Sequence, residues 1–133
     1  MTEEEHKQWL EHEISLMLSV GGQQNDWGHW EVRNEAGELH RDDGHPAYIS
    51  DGTAQWFENG KLNRTDAPAV IDAGGSVHWY VDGERQRSDG PAIEWPDGTK
   101  EWFFAGLRHN PNGPAIVRPD GTVEFWVHGV PKT

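Results

Sequence analysis

The sequence predicts a mainly β protein: a solenoid-like array of about four antiparallel β-hairpin repeats that form a twisted sheet, with one N-terminal α-helix. Three observations lead to this prediction. Glycines recur every 23 residues in two series, aromatic residues keep the same interval, and Asp-Gly or Gly-Gly pairs separate short apolar segments. Asp-Gly between apolar segments is a strong hairpin signal, because glycine adopts the positive φ that tight turns require. Since a lone hairpin is marginally stable in water, hairpins in series are expected to stack.

The repeats share one register, which five series of residues follow along the chain. The glycine series are Gly37, Gly60, Gly83, Gly106 and Gly129, and Gly52, Gly75, Gly98 and Gly121. The aromatic series are Trp56, Trp79, Trp102 and Phe125, and Phe57, Tyr80, Phe103 and Trp126. The prolines are Pro46, Pro68, Pro91 and Pro114. The first proline interval is one residue shorter than the others, which indicates that the first full unit has lost a residue before its turn.

Residues 1–22 are predicted to form an amphipathic helix. Thr2 and Glu5 have the spacing of a capping box, and Gly21 and Gly22 end the helix. Its apolar stripe consists of Trp9, Leu10, Ile14, Leu16, Met17, Leu18 and Val20. Two interpretations are open. The helix covers one end or face of the sheet, whose edges need protection, or it docks a partner or mediates a homodimer.

Residues 23–37 are predicted to be a polar link and a half-repeat that caps the array, and residues 38–133 to be four units of 23 residues. After its proline, each unit has a short apolar strand, a turn, and a second strand rich in threonine and aromatic residues. A polar return segment, such as residues 107–110, leads to the next proline. One unit is therefore predicted to be one hairpin with one return loop, and the whole chain to be a single domain.

The two aromatic series are expected on opposite faces of the sheet, because consecutive residues of a strand point in opposite directions. One series must form the core. The other is either buried as well or exposed as a binding surface. The candidate partner-binding aromatic residues are Phe57, Tyr80, Phe103 and Trp126.

The charge balance indicates the class of partner. The chain has 23 acidic and 11 basic residues, a net charge of −12, which opposes direct binding to nucleic acid or anionic lipid and favours a basic protein. Solubility alone is the competing explanation. The excess is densest in the first 37 residues. The candidate partner-binding acidic residues are Glu3, Glu4, Glu5, Glu11, Glu13, Asp42 and Asp43.

No motif indicates catalysis, a metal or a cofactor, so we expect a protein that is not an enzyme. His40 and His45 form the only local cluster of metal-ligand types, with Asp42 and Asp43, but no pair has a known metal-ligand spacing. The Asp-Gly turns carry too few oxygen ligands for calcium. No apolar segment is long enough to cross a membrane, and the acidic N-terminus is unlike a targeting segment. These features lead us to expect a cytoplasmic protein.

The repeat resembles the MORN type, and more closely a divergent relative with units such as G-K-L-H-R-x-D-G-P-A, found in phage, viral and bacterial proteins. Residues 60–69 read GKLNRTDAPA and residues 87–92 read RSDGPA. The resemblance covers residues 37–131 and implies hairpins laid side by side in a long antiparallel sheet. It also implies a setting of phage or bacterial conflict. An acidic surface can imitate nucleic acid and occupy a basic channel, so we expect a non-enzymatic inhibitor of a basic, nucleic-acid-handling protein, of the anti-CRISPR or immunity-protein kind. The alternative is a structural scaffold or membrane-associated repeat module.

Overall fold

A computed structural model describes residues 2–132 and shows a mainly β protein with one N-terminal helix. The helix α1 spans Glu3–Ser19. Seventeen short strands follow, and their bounds in chain order are: β1 Gln23–Gln24, β2 Trp30–Glu31, β3 Tyr48–Ser50, β4 Thr53–Gln55, β5 Phe57–Glu58, β6 Lys61–Leu62, β7 Val70–Ile71, β8 Val77–His78, β9 Tyr80–Val81, β10 Glu84–Arg85, β11 Ile93–Glu94, β12 Lys100–Glu101, β13 Phe103–Phe104, β14 Leu107–Arg108, β15 Ile116–Val117, β16 Val123–Val127 and β17 Val130–Lys132. The predicted fold class is therefore confirmed.

The helix begins with the predicted capping box. The Glu5 amide donates to Thr2 Oγ1 at 3.1 Å, and the Thr2 amide donates to Glu5 Oε1 at 3.0 Å. These two bonds satisfy backbone donors that have no partner within the helix. At the other end Gly21 has a φ of +88°, and the Gly22 amide donates to the Met17 carbonyl at 2.8 Å. The glycines therefore end the helix as predicted.

Eleven strands form one antiparallel main sheet in the order β1-β2-β3-β4-β7-β8-β11-β12-β15-β16-β17. Each unit contributes one hairpin to it: β3-β4, β7-β8, β11-β12 and β15-β16. The hairpin β1-β2 adds two strands before the first full unit. Residues 23–24, which were predicted to be a polar link, are thus a strand of the sheet, because the backbone of this segment pairs regardless of its polar side chains.

The units differ from the prediction in one respect, because each has a second hairpin. The pairs β5-β6, β9-β10 and β13-β14 form separate two-stranded sheets from residues that include the predicted return segments. The chain leaves the main sheet at the tryptophan of each unit. The Trp56 amide donates forward to the Ala69 carbonyl, while its carbonyl accepts from the Asn63 amide of the second hairpin. The backbone of this one residue therefore pairs with the next unit through its amide and with the second hairpin through its carbonyl.

The last unit differs from the others in this respect. Its strand β16 runs without interruption through Phe125 and pairs directly with β17, Phe125 opposite Lys132. In the first unit, the missing residue is accounted for by a shorter turn. Ser50 pairs directly with Thr53 across Asp51 and Gly52, whose φ values are +47° and +84°. The following hairpin has a longer turn, from Asp72 to Ser76.

The helix packs on one face of the main sheet. Leu10 and Met17 are buried in a cluster with Ile49, Ala54 and Trp56. The Trp9 ring stacks on the Trp56 ring, with a centroid separation of 6.3 Å and an interplanar angle of 20°. The helix therefore folds back over the sheet, and its apolar stripe is largely buried there. A second cluster, of Ala92, Ile93 and Phe103 with Trp79 against it, lies in the later units.

Candidate functional site

Arginines build the interior of the repeats. The Arg64 guanidinium lies 4.0 Å from the Trp56 ring centroid and donates to the Pro68 carbonyl at 3.1 Å. Arg87 lies 4.0 Å from the Trp79 ring and donates to the Pro91 carbonyl at 3.2 Å. Burial lowers the pKa of Arg64 from its usual value, against a raising effect of Asp66. A guanidinium both stacks on an aromatic face and bonds in its plane, so this position suits arginine rather than lysine.

The second aromatic series is also paired with arginines. Arg85 lies 5.3 Å from the Tyr80 ring and 5.5 Å from the Phe103 ring. Arg108 lies 5.5 Å from the Phe103 ring and 5.4 Å from the Trp126 ring. Each guanidinium therefore bridges rings of successive units. Cation–π contacts of this kind hold neighbouring units together and occupy ring surface that a partner would need.

The remaining arginines bond to carboxylates. Arg41 pairs with Asp43 at 2.7 Å and its side chain is only 4% exposed. Arg33 pairs with buried Glu31 at 2.9 Å, and the bond raises the pKa of Arg33 and lowers that of Glu31. Arg118 pairs with Glu124 in the same way. All seven arginines of the chain are thus engaged with a ring, a carboxylate or a backbone carbonyl.

Most carboxylates have no cationic partner. Ten of the 23 acidic residues lie within 4.0 Å of an arginine or histidine nitrogen, and no such pair is found for the other thirteen within residues 2–132. The four lysines, Lys7, Lys61, Lys100 and Lys132, are exposed and are in no ion pair of that part of the chain. The arginines are therefore engaged within the fold, whereas most carboxylates and the four lysines are in no ion pair of that part of the chain.

The turns of the main-sheet hairpins gather these carboxylates on one edge, which we call the turn edge. It comprises residues 25–29, 50–53, 72–76, 95–99 and 118–122, since all five hairpins turn at the same end of their strands. With strands about 4.8 Å apart and two strands per unit, neighbouring turns lie about 10 Å apart. The turn edge carries Asp26, Asp51, Asp72, Asp97 and Asp120.

Hydrogen bonds from neighbouring residues lower the pKa of three of these aspartates, Asp72, Asp97 and Asp120. The Thr99 amide lowers the pKa of Asp97, and the Thr122 amide lowers that of Asp120. The Thr53 hydroxyl, which donates to Asp72 at 2.9 Å, lowers the pKa of Asp72. The Asp51 side chain is 91% exposed, with His29 Nε2 at 3.3 Å. Asp72, Asp97 and Asp120 are therefore held by bonds to neighbouring residues.

The N-terminal end of α1 joins the turn edge. His6 Nε2 lies 2.7 Å from the Gly52 carbonyl oxygen. Glu3, Glu4 and Glu11, three of the predicted partner-binding residues, are exposed on the helix. Glu5 is exposed too, but its bonds to Thr2 lower its pKa and engage it in the capping box. Three predicted carboxylates therefore remain free to extend the acidic edge.

Glu13 does not belong to an exposed surface. It is 5% exposed and lies 2.9 Å from His45 Nδ1, so it is a buried member of the helix–sheet contact. Asp42 is 87% exposed, close to His40, in a return loop. Asp43 is partly covered. Burial raises its pKa, but the Arg41 side chain and the His45 amide outweigh burial, and the net shift is downward. The return loops lie at the end of the sheet opposite the turn edge, so Asp42 is separated from it.

The predicted aromatic candidates are not free either. Phe103 is buried, and Phe57, Tyr80 and Trp126 are half-buried. In the other series Trp56 is buried, whereas Phe125 at the end of the array is 44% exposed. Neither series is an open binding strip. The arginine contacts were missed from the sequence, and their signal was the 23-residue spacing of Arg41, Arg64 and Arg87.

Two histidines of the return loops accept hydrogen bonds from backbone amides of turns. His40 Nδ1 accepts the Asn59 amide at 2.9 Å, and His109 Nδ1 accepts the His128 amide at the same distance. Asn63 and Gln86 accept equivalent amides in the units between. Residues 2–132 contain no group of three side chains suited to hold a metal ion. Within the same residues, no helix has the length and apolar character needed to cross a membrane.

One exposed feature was not predicted. Trp27, in the turn before β2, is 80% exposed. Asn25 Oδ1 fixes this turn by accepting the Trp27 and His29 amides at 3.1 and 3.0 Å. Beside it, a cleft of about 300 Å³ lies between α1 and the turn edge. This cleft could not be predicted from the sequence, because its walls come from three separate segments, residues 6–14, 28–30 and 49–52.

The chain was compared with known proteins. A scan against protein-family models found no match, and searches of curated proteins and of solved structures found none either.

Proposed function

We propose that this protein is a non-enzymatic acidic binding module that docks a basic protein partner through its turn edge. The observation that carries the proposal is the division of charge. All seven arginines are engaged by rings, carboxylates or carbonyls of the chain itself, whereas carboxylates of the turns and of α1 are exposed along one edge. Such a surface steers a positively charged partner and raises its association rate.

The geometry favours a partner that handles nucleic acid. Carboxylates about 10 Å apart on rigid hairpin turns form a line of regularly spaced negative charge. A groove that follows a phosphate backbone is itself a line of positive charge. The proposed module would occupy such a groove and act as an inhibitor, in keeping with the anti-defence or immunity role that the repeat resemblance implies. Direct binding to nucleic acid is disfavoured by repulsion, and a cytoplasmic location is part of the same proposal.

Affinity capture with matched baits tests this proposal. One bait is the wild-type chain. The second carries Asp51→Asn, Asp97→Asn and Asp120→Asn on the turn edge, and the control bait carries Asp42→Asn, Asp66→Asn and Asp89→Asn in the return loops. We expect a basic protein to be recovered from bacterial lysate by the wild-type and control baits at low salt, and to be lost with the turn-edge bait and at high salt. A partner indifferent to salt, or equal recovery by all three baits, would contradict the proposal.

A structural scaffold is the second candidate, and the C-terminal end of the array favours it. Phe104, Leu107 and Val130 are each about half exposed there. An end of this kind can contact another chain. Light scattering distinguishes this role: a scaffold would give a concentration-dependent oligomer that Leu107→Lys disrupts, whereas a monomeric binding module would not change. Dimerisation through α1 is less favoured, because Leu10 and Met17 of the apolar stripe are buried on the sheet and Leu18 and Val20 alone are about half exposed.

A further inference from the structure

The cleft between α1 and the turn edge has the composition of a site for a cationic side chain. Its floor is apolar and is formed by Leu10, Ile14, Trp30 and Ile49. Its rim carries the carboxylates of Glu11 and Asp51, together with His6, Lys7 and the backbone of Gly28 and Gly52. The cleft therefore combines an apolar floor with an acidic rim.

We propose that this cleft binds a lysine side chain of the basic partner, which rests on the proposed function given above. A lysine has a flexible four-carbon stem and a compact ammonium group, so the stem can lie on the apolar floor while the ammonium stays at the wet, acidic rim. A volume of about 300 Å³ is at the lower end for small-molecule sites, which suits one side chain better than a larger ligand.

Charge complementarity selects the occupant. Asp51 is 91% exposed and Glu11 is exposed, so both carboxylates can approach an incoming ammonium without being buried themselves. Two negative groups face one positive group, Lys7, whose flexible side chain is exposed. His6 is turned toward the Gly52 carbonyl at 2.7 Å. His29 Nε2 lies 3.3 Å from Asp51, so the rim has two carboxylates beside the ammonium of Lys7 and the rings of His6 and His29.

Trp27 extends the site beyond the cleft. It precedes Gly28, which lines the cleft, and its ring is 80% exposed on a turn held by Asn25. An exposed, rigidly held tryptophan is an effective interface anchor, because its large surface is covered at little cost in conformational entropy. It would pack on the partner backbone beside the inserted lysine or on a neighbouring cation.

The test uses the full chain and two peptides, Ser-Gly-Lys-Gly-Ser and its norleucine counterpart, which lacks only the ammonium group. Binding is followed by the amide NMR shifts of Gly28 and Gly52. We expect saturable shifts with the lysine peptide and much weaker ones with the norleucine peptide. Neutralising Glu11 (E11Q) or Asp51 (D51N) should each weaken binding about five-fold, and Lys7→Gln should strengthen it by a similar factor.

The repeat provides a matched control, because Asp97 lies in an equivalent turn outside the cleft. Asp97→Asn should change lysine-peptide affinity less than about two-fold. Equal effects of Asp97→Asn and Asp51→Asn, with shifts spread along the turn edge, would overturn the cleft site and leave the acidic binding module intact. Equal binding of the two peptides would overturn it as well. If the capture experiment fails but the lysine peptide binds saturably, the proposed function is rejected and the lysine site in the cleft is retained.

Discussion

The helix-covered part and the open part of the main sheet have the same repeat but present different residues on the same face. Under α1, cross-strand neighbours on that face are Trp30, Ile49, Ala54 and Ile71. Beyond the helix, Glu94 lies directly opposite Lys100 on the same face. The apolar residues of the first part are thus covered by the helix, whereas the open part carries a pair of opposite charges next to Val117 and the exposed Val123. The repeat therefore determines the backbone pairing, and the presence of the helix determines which side chains suit this face.

The tryptophans show the same difference. Trp56 is 6% exposed and contacts both Trp9 of the helix and Arg64. Trp79, one unit later, is half-buried and is covered by Arg87. An arginine covers the tryptophan ring in both parts, and in the helix-covered part Trp9 of the helix contacts the ring as well. The comparison teaches that units of one repeat contribute unequally to stability.

The largest effect is expected for Trp56→Ala. It removes a buried ring together with its contacts to Trp9 and Arg64, and we expect a loss of about 3–5 kcal/mol in the free energy of unfolding. Phe125→Ala, at the equivalent position of the exposed last unit, should cost about 1 kcal/mol or less. Urea unfolding followed by circular dichroism compares the two variants. Equal losses would show that the covered and open parts contribute equally to the free energy of unfolding.

A smaller effect is expected for Arg87→Gln. This variant loses the stack on Trp79 and the bond to the Pro91 carbonyl, which costs about 2 kcal/mol. Arg118→Gln is the control, since Arg118 has an exposed pairing with Glu124 and its loss should have a much smaller effect. The same urea measurement applies. If Arg118→Gln proved as costly as Arg87→Gln, the stacked arginines would have no special role in covering the open part.

Acid should weaken the fold in two steps. Burial, and next the Arg85 charge, lower the pKa of His78 below its usual 6.5, so the unfolded chain binds a proton first as the pH falls below that value. Stability is then lost between that pH and the lower folded pKa. Glu31 and Asp72 have lowered pKa values, so their contribution is present above the unfolded pKa and is lost further down, as the pH falls through the folded pKa.

The variant His78→Gln separates the two steps. We expect it to flatten the fall in unfolding free energy just below pH 6.5 while leaving the carboxylate step unchanged. The measurement is the urea midpoint at a series of pH values. An unchanged slope in the first step would mean that His78 is not the group that titrates there.

The smallest effect on stability is expected for Glu94→Val with Lys100→Val. These positions are at the surface of the open part, and β-branched residues suit strands, so the unfolding free energy should change by less than about 1 kcal/mol. The apolar surface of the covered part would then continue without its helix, and we expect self-association in gel filtration. A variant that stays monomeric would show that the charge pair does not protect this face.

Much of the fold could be predicted from the sequence, because turns and caps are local. The spacing of Gly60, Gly83 and Gly106 predicts the repeat, and the pair Thr2 and Glu5 predicts the start of the helix. The second hairpins could not be predicted. Strands of two residues, such as Leu107–Arg108, are too short for a periodic pattern, and their polar residues are typical of a loop.

Less of the candidate site could be predicted, because burial depends on residues distant in sequence. Glu13 has the same local pattern as Glu11, yet only Glu13 meets His45, 32 residues away. The same limit hid the cleft at Asp51 and the pairing of Arg85 with two rings. Composition correctly indicates the excess of carboxylates, but only the topology shows that the turn aspartates share one edge.

The division of charge, with arginines engaged within the fold and most carboxylates unpaired, is the central claim, and the salt dependence of folding stability tests it most directly. The measurement is the free energy of unfolding at about 0.1 M and about 1 M ionic strength, where the screening length falls from about 10 Å to about 3 Å. The account predicts a rise of about 1 kcal/mol, because salt screens repulsion among outward carboxylates and scarcely reaches the stacked arginines. A clear fall in stability at high salt would contradict it, since exposed ion pairs would then be holding the fold together.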